Sequence, residues 1–192
     1  MISLPKLFTA ALAATSVVIA AATPQQIADG IKSITQKSQA LQAPAQSITI
    51  VNAPLIVIGQ GPFPQIIAGF TDIISTATTL SGQIGAAKRM ARRQHVARGP
   101  DDDLVFNSFR EFVRVNQQLL NILIGKSGVL TSVPLVGQPV ATVLRSLEGI
   151  VDTIAISLIS TFEARAKDLT SEANSLGSTL DLAIQKYEGL NI

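Results

Sequence analysis

In four separate stretches of this chain apolar side chains return every three or four residues, and no cysteine exists anywhere to cross-link them. A repeat near 3.6 residues gathers apolar groups on one side of a helix, so these stretches must bury their stripes against each other. The first carries Ile66, Phe70, Ile73, Ala77, Leu80 and Ile84, widened by Ile67 and Ile74. The second carries Val105, Phe109, Phe112, Leu119 and Leu123 in near-heptad order, flanked by Phe106, Val113 and Leu120. In the third, Val140, Leu144, Leu147, Val151, Ile154, Leu158 and Phe162 are joined by Val143, Ile150, Ile156 and Ile159 on other faces. So broad an apolar surface predicts a central, largely enclosed helix. The fourth, with Ala166, Leu169, Ala173, Leu176, Leu180, Ile184 and Tyr187, has a narrow stripe suited to covering one side of a bundle.

An earlier helix is announced by Thr23, Pro24 and Gln26, the pattern of a capping hydroxyl, a proline at the first helical position and an amide that reaches back. Ile27, Ile31, Ile34 and Leu41 share its face, with Ser38 filling the gap. Pro44 and Pro54 interrupt the next stretch, and Ser47 to Val51 and Leu55 to Ile58 are β-branched enough that propensity leaves helix and strand both open. Gly59 to Pro64 is a turn cluster, Asp101 to Asp103 offer a helix cap, and Gly125 to Gly137 reads as a connection before a helix starting at Pro139. These elements predict an all-α, up-and-down bundle of about five helices in a single domain, residues 23–192, with residues 86–103 as a basic and acidic surface loop.

Met1 to Ala22 has Lys6 as its only charge, an apolar run from Leu7, and the small residues Ala20 and Ala22 spaced for signal peptidase. The expectation is a secretory signal peptide over residues 1–22 and a secreted product, extracellular or held in a cell wall. Small exported domains usually lean on disulfides; here a core, a ligand or a partner must substitute for them. With 47% apolar residues, no Trp, one Tyr and seven Phe, the apolar weight is aliphatic, as helix packing prefers. Loss of Lys6 takes the formal charge from +2 to +1, which favours no polyanionic partner. Beyond the leader no stretch approaches a membrane span, and Tyr187 to Ile192 lacks the apolar tail of a glycolipid-anchor signal.

Thiol nucleophiles and thiolate metal sites are excluded, and a triad would have only His95 as base, in a basic segment without apolar periodicity. The serines sit in no nucleophile elbow, and Gly125-Lys126-Ser127-Gly128 lacks phosphate-loop spacing. Asp101 to Asp103 do not alternate as calcium ligands do. No enzyme, cofactor or metal is expected. The cluster from Lys88 to Arg98 lacks the interleaved aromatics of a nucleic-acid surface and reads as a solvated loop, whose pairs Lys88-Arg89 and Arg92-Arg93 also suit a processing protease.

Asn116 is the most informative polar residue. It occupies the stripe position between Phe112 and Leu119, so a buried amide is expected and must find a hydrogen-bond partner. Two roles fit: a polar core residue that sets register against another side chain, or a contact to the polar head of a bound lipid.

Several segments, in order over the chain from Thr23 to Leu190, resemble the fungal family of hydrophobic surface-binding protein A and antigenic cell-wall galactomannoproteins. They are Gln25-Gln26-Ile27-Ala28-Asp29-Gly30-Ile31, Gly59 to Pro64, Phe109-Arg110-Glu111-Phe112, Leu123-Ile124-Gly125-Lys126, Leu144-Arg145-Ser146-Leu147-Glu148 with Val151-Asp152, and Ala183-Ile184-Gln185-Lys186-Tyr187. The resemblance implies secretion, a helical bundle, and association with apolar surfaces, with wall polymers, or with long-chain fatty acids enclosed between helices. It also tips Ser47 to Ile58 toward helix and turn. Relative to the family, Lys88 to Arg98 looks inserted, and no Asn-x-Ser/Thr sequon or Ser/Thr-rich tail supports the glycans of the galactomannoprotein name.

The expected ligand lining runs along three helices. Ile66, Phe70 and Ile73 come from the first stripe; Phe109, Phe112, Asn116, Leu119, Leu120 and Leu123 from the second; Val143, Leu147, Val151, Ile154 and Leu158 from the third. The competing expectation is a structural wall protein or antigen with a filled core and no ligand.

Overall fold

The computed structural model describes residues 22–94, 101–131 and 137–190, and among them there are helices and turns but no strand. Five long helices carry the fold: α1 (Pro24–Ala40), α3 (Pro62–Gln94), α4 (Asp101–Ser127), α5 (Gly137–Thr161) and α6 (Ala166–Glu188). A short α2 (Gln42–Gln46) and a 3-10 segment (Ala53–Ile58) link α1 to α3. The start of α1 forms as its sequence requires: Thr23 Oγ1 accepts from the Gln26 amide at 3.2 Å, and Gln26 Oε1 accepts from the Thr23 amide at 2.9 Å.

The long helices close a ring in which α1 lies against α3 and α4, α4 against α6, α6 against α5, and α5 against α3. Leu41, just past α1, packs on Gly69 near the start of α3, while Gly30 early in α1 packs under Leu80, so these two run antiparallel. Contacts from Ser38 to Asn116 and from Ile48 to Lys126 advance in step, making α1 and α4 parallel. Asp103 with Arg165, Gln117 with Ser175 and Leu123 with Tyr187 do the same for α4 and α6. Helix α5 starts at Gly137 against Tyr187, near the end of α6, and is antiparallel to it. The chain thus alternates up and down as expected, but order around the ring is set by the stripes rather than by chain succession: α4 sits between α1 and α6, not between α3 and α5.

Three expectations are corrected and one open segment is decided. Residues 86–103 are not one loop, because α3 continues to Gln94 and Asp101 to Asp103 form the first turn of α4. Ala, Lys, Arg, Met and Gln are strong helix formers that need no apolar stripe to extend a helix, and buried Ala86 with half-buried Ala87 carries the packed face one turn further. Acids in that first turn of α4 complement the helix dipole. Of the basic segment, His95 and residues 96–98 lie outside the described residues.

The Gly125–Gly137 connection is also shorter than expected. Helix α4 runs to Ser127, a 3-10 turn (Gly128–Leu130) comes next with Leu130 buried, and α5 begins at Gly137 with Pro139 in its first turn, where no amide is needed. Helix α5 is not enclosed: Ile156 is 66% exposed and Val143, Ile150 and Ile159 are half-buried, since only α3 and α6 flank it. Finally, the β-branched stretch 47–58 forms turns and a 3-10 segment, as the resemblance implies, with no strand.

Candidate functional site

Thirteen of the fourteen expected lining residues are buried, and apart from Asn116 these share one apolar cluster. Ile66, Phe70 and Ile73 enter it from α3, Leu147, Val151, Ile154 and Leu158 from α5, and Phe109, Phe112, Leu119, Leu120 and Leu123 from α4. The exception to burial is Val143, which lies half-buried at the edge of the core. Phe109 and Phe112 stack with ring centroids 5.9 Å apart and planes inclined 27°, an arrangement that adds to their area burial.

Helices α1 and α6 contribute as much to the same interior. Ile27, Ile31, Ile34, Leu169, Leu176, Leu180 and Ile184 belong to the cluster, yet the three-helix groove read from the sequence leaves them out. Their stripes are plain in the sequence; what is missing there is that α4 packs between α1 and α6.

Asn116 is buried, and both ends of its amide are engaged. Its Oδ1 accepts from Ser38 Oγ at 3.0 Å across the α1–α4 contact, and its Nδ2 donates to the Phe112 carbonyl at 2.9 Å. Ser38 Oγ lies also 3.2 Å from the Ile34 carbonyl. The two polar residues that interrupt the α1 and α4 stripes therefore face each other, and the bond between them fixes the stagger of two parallel helices. A primary amide has two N–H groups and two acceptor sites, so one of each remains for a further partner. Another buried polar contact between helices is made by Tyr187, whose hydroxyl donates to the Leu123 carbonyl at 3.0 Å. Burial pushes its phenol well above the usual value near 10.

Among the described residues the carboxylates, lysines and arginines lie outside this interior. Glu148 on α5 sits beside Asp181 of α6; burial, then a hydrogen bond with the Asp181 carboxyl and that group's charge, with a smaller push from Asp152, hold its pKa above the ordinary 4.5 against the pull of Arg145. Arg145 pairs with Glu188. At the other end of the bundle Arg165 bonds Asp103 and Asp168 and lies 5.3 Å over the Phe106 ring. Among the described residues no group of three or more His, Cys, Asp or Glu could hold a metal ion, and no helix is long and apolar enough to cross a membrane. Comparison with protein-family models, curated proteins and solved structures found no match.

Proposed function

We propose that this is a secreted, non-enzymatic protein that binds apolar matter, holding a long-chain fatty acid within the ring of helices or adsorbing to hydrophobic surfaces. The observation that carries the reading is the makeup of the interior: five helices surround aliphatic and aromatic side chains, with the Ser38–Asn116 pair as a polar feature inside. Such an interior offers nothing to a reaction and a great deal to an acyl chain. Each buried methylene contributes about 0.8 kcal/mol, so a chain of about sixteen carbons gains roughly 10 kcal/mol before ordering. Association costs of about 4–15 kcal/mol leave room for binding toward the lower part of that range, when most of the chain is enclosed. An Asn116 N–H beyond the one given to the Phe112 carbonyl is the donor that a bound carboxylate would use in this reading. The resemblance to hydrophobic surface-binding proteins and wall galactomannoproteins supports the same reading, as does the leader-like Met1 to Ala22.

A second reading is a wall protein or antigen with a filled core, and the pairing of Asn116 with Ser38 favours it, since a satisfied amide has no need of a ligand. Mass spectrometry of an organic extract of the purified protein separates the two. Fatty acid in the extract, lost in Leu147→Trp while the helical circular dichroism spectrum persists, is the expected result. An extract without lipid, no uptake of added fatty acid, and a Leu147→Trp protein that simply loses stability would sink the carrier reading.

A further inference from the structure

Donors and acceptors are unequal in the interior. Among the described residues the buried polar side chains are Thr35, Ser38, Ser108, Asn116 and Ser127, joined by the buried Tyr187, and none is charged at neutral pH. A hydroxyl has one hydrogen to donate and two lone pairs to accept with. Every one of these hydrogens is engaged. Thr35 Oγ1 donates to the Ile31 carbonyl at 2.8 Å, Ser38 Oγ to Asn116 Oδ1 at 3.0 Å, Ser108 Oγ to the Leu104 carbonyl at 2.9 Å and Ser127 Oγ to the Ile124 carbonyl at 2.8 Å. Tyr187 donates to the Leu123 carbonyl, and one Asn116 N–H goes to the Phe112 carbonyl. What remains is the second N–H of Asn116, against free lone pairs on Asn116 Oδ1, on Ser38 Oγ and, one turn earlier on α1, on Thr35 Oγ1.

No cation offsets this shortage of donors. Around the interior, Lys37 of α1 pairs with Asp72 of α3 at 2.7 Å, Arg114 pairs with Glu111 on the exposed side of α4, and Arg145 of α5 pairs with Glu188 of α6. Glu148 of α5 lies beside Asp181 of α6 and near Asp152, Lys126 Nζ donates to the Ile48 carbonyl at 2.7 Å, and Lys186 is exposed.

An ionised carboxylate accepts hydrogen bonds and donates none. In an apolar core it needs a cation or several N–H groups, and without them the loss of hydration makes the group take up a proton. An alcohol or a protonated carboxylic acid has the opposite complement. It brings the hydrogen that the interior lacks, and its own oxygen can accept from the single Asn116 N–H.

We propose that the head group admitted beside Ser38 and Asn116 is uncharged and donates a hydrogen bond, so that the ligand is a fatty alcohol or a fatty acid in its protonated form, taken up in acid and released as pH rises. The proposal rests on the carrier reading above and specifies the chemistry of the same site. A free alkanoic acid ionises close to the glutamate side chain, at about 4.3. When only the protonated form enters, the apparent affinity is reduced by the fraction of ligand that is protonated. Acid binding then falls about tenfold for each pH unit above that value, up to the raised pKa of the bound acid, and about a hundredfold between pH 5 and pH 7.

Equilibrium dialysis of the unaltered protein against radiolabelled dodecanoic acid and 1-dodecanol, at pH 5 and at pH 7, tests this. The alcohol should bind equally at both, which controls for any change in the protein itself, while binding of the acid drops by about a hundredfold. With dodecanoic acid carrying carbon-13 at the carboxyl, the bound resonance should keep the position of the protonated acid at pH 6, where the free ligand is mostly ionised. At pH 5, Asn116→Leu should weaken acid and alcohol by the same factor, about two- to tenfold, because each loses one neutral hydrogen bond. The first two measurements use the unaltered protein and do not depend on the folding of that variant.

Acid binding as tight at pH 7 as at pH 5, or a bound carboxyl that is ionised at pH 6, overturns the proposal and leaves the carrier reading in place. A loss in Asn116→Leu that is confined to the acid also overturns it, by setting a charged carboxylate on the amide. A protein that takes up neither ligand at either pH removes the carrier reading and this proposal together.

Discussion

Replacing Ser38 by Ala takes a single hydroxyl from the core and leaves the Asn116 carbonyl oxygen, which accepts from it at 3.0 Å, without that donor. Asn116 is 1% exposed, so water cannot substitute. A net hydrogen bond is worth about 0.5–1.5 kcal/mol, and a stranded buried acceptor costs about 1–3 kcal/mol, so Ser38→Ala should cost about 2 kcal/mol. Asn116→Leu fails for a different reason. Ser38 Oγ keeps the Ile34 carbonyl at 3.2 Å, so no polar group is stranded, but a methyl now stands where an oxygen accepted a short bond, and overpacking of this kind costs about 1–3 kcal/mol. Combining the two removes both faults, because the lost hydroxyl makes room for the new methyl. The double variant should lie within about 1 kcal/mol of the unaltered protein, with a coupling of at least about 1 kcal/mol between the sites. Urea unfolding at constant m-value measures all four corners of the cycle. Single costs that simply add would show that the pair does not act as a unit and would refute the reasoning. The same proteins report on ligand chemistry: if Asn116 also meets a carboxylate, Asn116→Leu should weaken fatty-acid binding more than binding of an alkane, and equal losses would confine Asn116 to setting helix register.

Gly137→Ala should destabilise by about 1–3 kcal/mol in a thermal melt, because a Cβ there would lie against the Tyr187 backbone carbonyl, which cannot swing aside as a side chain does; an unchanged melt would mean that the α5–α6 contact is loose. Tyr187→Phe should cost about 1 kcal/mol at pH 7 for the lost bond to the Leu123 carbonyl. Burial raises the Tyr187 phenol above its value near 10 in the unfolded chain, so the native state resists ionisation: the stability this confers is intact below pH 10 and is lost as pH rises beyond it. The alkaline decline should therefore be shallower in Tyr187→Phe, and parallel curves would contradict the burial of the hydroxyl. Glu148, raised above 4.5 mainly by burial and by Asp181, stabilises the fold when protonated and less as pH climbs through its raised value. Glu148→Gln should flatten unfolding profiles above pH 4.5 and gain about 0.5 kcal/mol at pH 7; a loss there would place the carboxylate in a favourable pair instead.

Local chemistry accounts for what was legible in advance. The Thr23–Gln26 box lies within one turn, and each apolar stripe lies within one helix, so the helices and nearly every buried residue of the candidate lining could be read from spacing alone. The same arithmetic marked Ser38 and Asn116 as breaks in two stripes. It could not say that they meet, because a hydrogen bond between residues 78 positions apart depends on which helices become neighbours and at what stagger. The tertiary structure decided that α4 lies between α1 and α6, which brings these two helices, left out of the expected lining, to the interior, leaves one face of α5 in solvent and moves Val143 to the edge. It also decided the fate of the two least periodic segments. Residues 88–94 continue a helix because their side chains favour one even without an apolar face to bury. Ile50, Val51 and Ile58, which hydrophobicity alone would send inward, stay outside, while Ile48 and Ala53 on either side of the first two and Phe63 beyond the third are the apolar residues of this stretch that are buried. Periodicity tells which residues need cover; whether cover exists depends on the room left once the larger helices have packed.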